Sequence, residues 1–182
     1  MSVMAQVRFN YRDYCLMPED KRYELIDGGL FMTPSPRTRH QIICSNLEYL
    51  FRAQLQDTGK AAVLRAPLDV YFSDEDVVQP DVLVIHKERD KIVEEKYVRG
   101  APDLAVEVLS PAEPDRDQIV KKKLYHKFGV KEYWIVDPDA RSIEVFVWEN
   151  AGYRMIGSFT TGQIGSLVFP SLVVNHSDVF AK

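Results

Sequence analysis

The sequence predicts an α/β domain built on a mixed sheet, and three observations carry that prediction. A hairpin pattern near the amino end precedes one long amphipathic helical stretch. Two apolar runs, Gln79–Ile85 and Asp103–Leu109, then read as strands of a sheet core. A second helical stretch separates them from further strand patterns, so the order is hairpin, helix, strands, helix, strands. The 182 residues fit one domain, 1–182, with a real hydrophobic core.

Each element has a local cause. Tyr11, Tyr14 and Leu16, ahead of Pro18, suggest a short helix at the edge of the domain. Tyr23 to Met32 reads as the hairpin, with Asp27-Gly28 in the turn because glycine tolerates positive φ. Thr33-Pro34-Ser35-Pro36 ends its second strand. From Arg37 to Gln56, Ile42, Ile43, Leu47, Leu50, Phe51 and Leu55 recur at helical spacing, and Gly59 fits the stop. Ala62 to Phe72 reads as a strand that Pro67 bulges, puts at an edge or breaks. Ser73 to Asp76 reads as a solvated turn, and His86 to Arg99 as a charged excursion between the two apolar strands.

After Ser110-Pro111, a helix starting near Asp115 runs to about Phe128, with Ile119, Leu124, Tyr125 and Phe128 inward and Gly129 as its stop. Glu132 to Asp137 and Ser142 to Trp148 follow as strands around a Pro138-Asp139 turn. Tyr153–Phe159 and Ser166–Val174 supply further strand or turn structure.

Composition excludes several classes. A formal net charge of −4 argues against a generic basic coat for nucleic acid, although a local basic cleft remains compatible with it. Cys15 and Cys44 form neither a disulfide scaffold nor a thiolate metal motif, so a reducing cytoplasm is the expected compartment. No apolar run approaches the roughly 20 residues that cross a bilayer, and no membrane partner is expected. Phosphate-binding glycine loops, zinc fingers and nucleophile elbows are missing from the sequence.

The chemistry concentrates on two acids. Asp81 opens one apolar strand and Glu107 lies inside the other. A carboxylate in a buried strand is neutralised, paired or metal-bound. Two on neighbouring strands could hold a divalent cation, with the Val108 carbonyl as a further oxygen ligand. Phosphodiester hydrolysis needs an activated water and a cation against growing negative charge. Lys121 is the candidate cation, because Asp117, Lys121 and Tyr125 lie four apart on one helical face. Glu24 is a fourth catalytic candidate from the early hairpin. His40 could contact phosphate or hydrogen-bond a site carboxylate, and Gln54, Arg65, Asp117 and Lys122 are further supporting candidates.

Arg37 and Arg39, with Lys121, Lys122, Lys123 and Lys127, could line a phosphate-facing rim. Structural readings stand beside these. Asp81 would cap the start of its strand, Glu107 would pair with Arg65 or Lys121, and Lys121 would be a solvated helix residue. Tyr133 and Trp134 pack the sheet rather than stack a base.

The quoted marks also resemble a family. Tyr23-Glu24-Leu25-Ile26-Asp27-Gly28, Pro34-Ser35-Pro36, His40, Pro80-Asp81-Val82 and Glu107-Val108-Leu109-Ser110-Pro111 come in the order and spacing of the Uma-type restriction-endonuclease-like family, abundant in cyanobacteria. So do Asp117, Lys121, Tyr125 and the run Gly129 to Pro138. The resemblance extends from Tyr23 to about Trp148. It implies the PD-(D/E)XK nuclease-like fold, a restriction-endonuclease-like mixed central sheet flanked by helices, with Asp81 and Glu107 as the metal-binding acids. The usual lysine two positions after the glutamate is replaced here by Leu109, so its role would pass to Lys121.

The leading expectation is therefore a Mg2+-dependent endonuclease, with Mn2+ as a substitute, acting on double-stranded DNA as a homodimer. The alternatives are a non-catalytic nucleic-acid-binding or assembly protein that kept the fold, and a hydrolase of small phosphorylated metabolites.

Overall fold

Asp27 and Gly28 both take positive φ, 48° and 71°, which lets β1 (Arg22–Ile26) fold back onto β2 (Gly29–Thr33). The computed structural model describes residues 7–18, 20–110 and 116–182, with Arg116 and Asp117 described as backbone only. Before the hairpin, α1 (Tyr11–Tyr14) starts at Asn10, whose side chain caps the first turn. After it, α2 (Thr38–Phe51) runs on through a wider π-helical turn, Arg52–Gln56. The helix buries Ile43, Cys44, Leu47 and Phe51, the stripe expected from their spacing.

The single strand expected from Ala62 to Phe72 is two strands on different sheets. β3 (Ala61–Arg65) ends where Pro67 has no amide to continue a ladder, and β4 (Asp69–Ser73) begins beyond it. Next come β5 (Asp76–Val78), β6 (Val82–His86), a 3₁₀ turn (Lys87–Ile92), β7 (Tyr97–Arg99) and β8 (Leu104–Val108). A π-helical stretch, Arg116–Lys121, leads into α3 (Lys122–Phe128), which Gly129 ends at φ 78°. The helix start near Asp115 falls outside the described residues. Then follow β9 (Glu132–Asp137), β10 (Ser142–Glu149), β11 (Gly152–Phe159), β12 (Gln163–Gly165), β13 (Val173–Asn175) and α4 (His176–Val179).

The central sheet has the order β11-β10-β9-β8-β6-β3 and is mixed: β8 and β9 run parallel, and the other neighbours are antiparallel. A second sheet, β2-β1-β5-β4-β7, carries the hairpin. Alternation along the central strands builds two cores. Val82, Val84, Val106, Val108 and Trp134 face α2 and the carboxy-terminal segment. Leu83, Ile85, Ala105, Leu109 and Tyr133 face the second sheet and α3. Strands covered on both faces read as continuous apolar runs, which is why β6 and β8 stood out in the sequence.

Two local expectations are corrected. Ile119 is half exposed rather than inward. Its π-helical stretch turns wider than 3.6 residues, so it is out of phase with the buried Leu124 and Tyr125. Asp76 is not in a solvated turn. It begins β5, buried, and its carboxylate accepts from the Asp27 amide, the Ser73 hydroxyl and the Lys127 ammonium.

Candidate active site

β8 delivers Glu107 to the site by simple alternation. Val106 and Val108 point to the α2 layer, so Glu107 points into the opposite layer, between the central sheet, the hairpin sheet and α3. That layer is otherwise apolar, and a lone carboxylate there would be costly. Lys121 meets it: its Nζ lies 3.0 Å from Glu107 Oε1 and 2.9 Å from Glu24 Oε1. All three residues are almost fully buried. Tyr125, one helical turn after Lys121, donates its hydroxyl to the same Glu107 oxygen at 2.5 Å. Burial, and after it the neighbouring Glu107 charge, pushes the Tyr125 phenol well above its ordinary value, so it stays a protonated donor.

Glu24 comes from the middle of β1. Its Oε1 also accepts from the Gln79 amide at 2.9 Å, while its Oε2 is buried without a hydrogen-bond partner among the described residues. Asp81 arrives from the bend just before β6. The ladder between β6 and β8 ends at the Val82–Val106 pair, and beyond it the Val108 amide donates to Asp81 Oδ2 at 2.8 Å. The strand-cap reading of Asp81 therefore describes a real contact, and that contact aims the carboxylate at the end of β8 beside Glu107.

His40, near the start of α2, brings Nε2 to 3.1 Å from the same Asp81 oxygen. Its Nδ1 lies 3.4 Å from Cys44 Sγ, one turn further along the helix. His40, Cys44 and Asp81 form a cluster whose ligand atoms lie within 4.8 Å of one another. Burial, then the charges of Asp81 and Glu107, raises the Cys44 thiol far above its usual value. It is a neutral thiol, and a hard oxygen-seeking ion gains little from it.

Around these groups lies a cleft of about 140 Å³, room for several waters or a hydrated ion. Glu24, Asp81, Glu107, Val108 and Lys121 line its floor, and Arg22, Arg37 and Arg39 its rim.

The sequence-predicted residues thus divide. Asp81, Glu107, Val108, Lys121, Glu24 and His40 share one cleft. Arg65 turns to Glu48 on α2 instead, at 2.8 Å, and lines an adjoining recess with Cys44 and Asp81. Lys122 lies outside the cleft lining, with Nζ 3.4 Å from the centre of the Phe146 ring, and burial lowers its proton affinity. Lys127 is committed to Asp76. Gln54 clamps the backbone of Val173 from both sides and has no contact with the site. The Asp117 side chain is outside the described residues.

The basic rim is therefore made of arginines from the hairpin and the start of α2 rather than of the lysine run. Two contributions escaped sequence reasoning, the Tyr125 hydroxyl and Cys44. For Cys44 the signal was present, because a His and a Cys four apart share a helical face.

The mixed sheet, the flanking helices and the amino-terminal hairpin together define a restriction-endonuclease-like α/β protein. The family Uma2, described as "Putative restriction endonuclease", matches residues 10–176, and the chain belongs to that family. A crystal structure from Anabaena variabilis, titled a "putative nuclease belonging to DUF820", superposes with a TM-score of 0.79 at 22% identity. The alignment covers 94% of this chain and 97% of that one. Among curated proteins none matches this chain. Among the described residues no helix is long and apolar enough to cross a membrane.

Proposed function

We propose that this protein is a Mg2+-dependent endonuclease that hydrolyses phosphodiester bonds of double-stranded DNA. One observation carries the reading. Among the described residues, Glu24 and Glu107 share the ammonium of Lys121 inside a cleft that also takes the Asp81 carboxylate, and Glu24 keeps a buried oxygen without a hydrogen-bond partner. That oxygen and the three carboxylates gathered on one cleft fit a divalent cation, and the donors are the hard oxygens that magnesium prefers. Asp81, Glu107 and the Val108 carbonyl would hold it, with Mn2+ as a substitute. When bound, the ion lowers the pKa of a water and offsets charge on the scissile phosphate.

The chain's own residues supply the rest. The rim arginines Arg22, Arg37 and Arg39 bind flanking phosphates and set the register of the backbone. Lys121, held between two carboxylates, presents a fixed positive charge at the cleft floor and orients the attacking water. Its arrival from the π-helical stretch substitutes for the lysine that Leu109 displaces just past β8, where a buried leucine now packs the core. His40 holds the Asp81 carboxylate, and Tyr125 holds that of Glu107.

A homodimer carries two such sites onto the two strands of a duplex, and we place it in the cytoplasm as one domain. Purified protein incubated with supercoiled and linear duplex DNA, with and without Mg2+ or Mn2+, tests the activity. The expected result is metal-dependent nicking or cleavage that Asp81→Ala and Glu107→Ala both abolish. Cleavage that survives both substitutions, or its absence from every duplex tried with either metal, overturns the reading. Sedimentation with and without duplex tests the dimer, which a monomer under both conditions would refute.

A further inference from the structure

The Asp81 carboxylate sits between two different environments. On one side lies the oxygen-rich cleft of Glu24, Glu107 and Lys121. On the other, an adjoining recess is lined by Cys44, Gln41, Arg65 and Asp81. His40 lines the oxygen-rich cleft and Cys44, one turn further along α2, the adjoining recess, with Nδ1 and Sγ 3.4 Å apart and Nε2 3.1 Å from Asp81 Oδ2.

We propose that His40, Cys44 and Asp81 form a second metal site, selective for borderline ions such as Zn2+ or Co2+, and that its occupation inhibits the nuclease by withdrawing Asp81 from magnesium.

The donor set decides the selectivity. One imidazole, one sulfur and one carboxylate are the ligand types of zinc, and magnesium has no use for the sulfur. Zinc bond lengths of about 2.0 to 2.3 Å in a tetrahedron put ligand atoms about 3.4–3.6 Å apart. The cluster already lies within 4.8 Å throughout. Cys44 and Asp81 now address opposite nitrogens of the His40 ring, so sharing one ion requires the imidazole or the Cys44 side chain to reorient until sulfur and carboxylate meet the same nitrogen. The open recess beside Cys44 and Asp81 gives an ion a path inward and leaves room for a water as fourth ligand. Binding exchanges the thiol proton for a sulfur–metal bond and releases that proton to solvent.

The inhibitory half of the proposal rests on the nuclease reading; the binding half does not. The two are separable because a thiolate bond to cobalt is visible without any DNA. Cys15 is the chain's other cysteine, so the Cys15→Ser protein leaves Cys44 as its lone thiol. Titration of that protein with Co2+ is expected to give a one-to-one complex with a near-ultraviolet sulfur-to-cobalt band. Zn2+ should bleach the band and excess Mg2+ should leave it. Replacing Cys44 by Ser should remove the band, and His40→Ala should weaken cobalt binding at least tenfold. Should the serine variant fail to fold, alkylation of Cys44 in the Cys15→Ser protein serves instead. Zn2+ should slow it at least tenfold and Mg2+ should not.

A missing band, a band that persists without Cys44, or alkylation indifferent to zinc overturns the site. For inhibition, Zn2+ at fixed Mg2+ should suppress DNA cleavage at least tenfold more strongly in the Cys15→Ser protein than after the further change Cys44→Ser. Equal suppression overturns the regulatory role. A cobalt band in a protein that cuts no DNA would keep the site and refute the nuclease.

Discussion

Two buried acids bracket strand β8, Asp103 just before its start and Glu107 near its end, and their surroundings differ. At its start Asp103 is fully buried, yet its partners reach in from solvent: Arg89 Nη1 at 2.7 Å and Lys131 Nζ at 3.3 Å from one oxygen, with the His86 amide on the other. Those side chains are 35% and 58% exposed. Cations outnumber the acid, and the result is a clasp that ties the 3₁₀ turn and the start of β9 to the sheet. At the far end, among the described residues, Glu107 has the opposite balance. Its cation, Lys121, is itself buried and shared with Glu24, while Asp81 stands alongside. A buried carboxylate alone therefore does not mark a site. Near Glu107, among the described residues, three carboxylates and one buried ammonium open on a cleft, the arrangement expected of a site.

That contrast can be broken, most sharply by removing one acid at a time. Glu107→Gln should lower Mg2+-dependent cleavage by at least about 10³-fold, since metal binding and charge compensation supply several kcal/mol of barrier lowering. Asp103→Asn should leave the rate within about twofold. Comparable losses in a plasmid-nicking assay would erase the distinction between the two ends.

The stability of the cleft gives the next effect. Lys121→Met leaves Glu24 and Glu107 buried without their shared cation and should cost about 3–5 kcal/mol in urea unfolding. Asp103→Asn should cost less, about 1–3 kcal/mol, because its partners regain water. If the order of these two values reverses, the Lys121 bridge is not the buried keystone that its geometry suggests.

Smaller still is the rim. Arg37→Ala and Arg39→Ala should each weaken duplex binding and reduce the slope of log affinity against log salt by about one. Lys122→Ala, with its ammonium over Phe146, should leave that slope unchanged. A slope that responds to Lys122 and not to the arginines would move the DNA path to α3.

The mildest test is alkaline. Burial, followed by a hydrogen bond with Cys15, pushes the Tyr11 phenol up to about 12. A folded-state value above the unfolded one means a contribution fully present below about pH 10 and lost as pH rises toward 12. Urea midpoints should hold to about pH 10 and then fall, and Tyr11→Phe should flatten that decline.

Much of this layout was legible in the chain. The hairpin followed from Asp27-Gly28, α2 from its apolar stripe, and β6 and β8 from runs too apolar for a half-exposed sheet. The neighbouring positions of Asp81 and Glu107 followed from those strands. Other features were not legible, because they depend on contacts between distant segments. Pro67 signalled a break, but not that β3 and β4 join different sheets. Ile119 obeyed the helical count and still lies outside, since a π-helical stretch shifts the phase. Gln54, Arg65 and Lys122 had the right chemistry, yet Val173, Glu48 and Phe146 claim them. Asp103 carried the same apolar surroundings as Glu107, yet Arg89 and Lys131 claim it from the surface.

By itself, then, the sequence determined the fold class and which two strands present acids, because periodicity and turn chemistry are local properties of the chain. Only the tertiary structure decided which acids share a cation, that the cation is Lys121 from the stretch before α3, and that Cys44 meets His40 and Asp81. Those outcomes are set by distances across packed layers, which no spacing along the chain encodes.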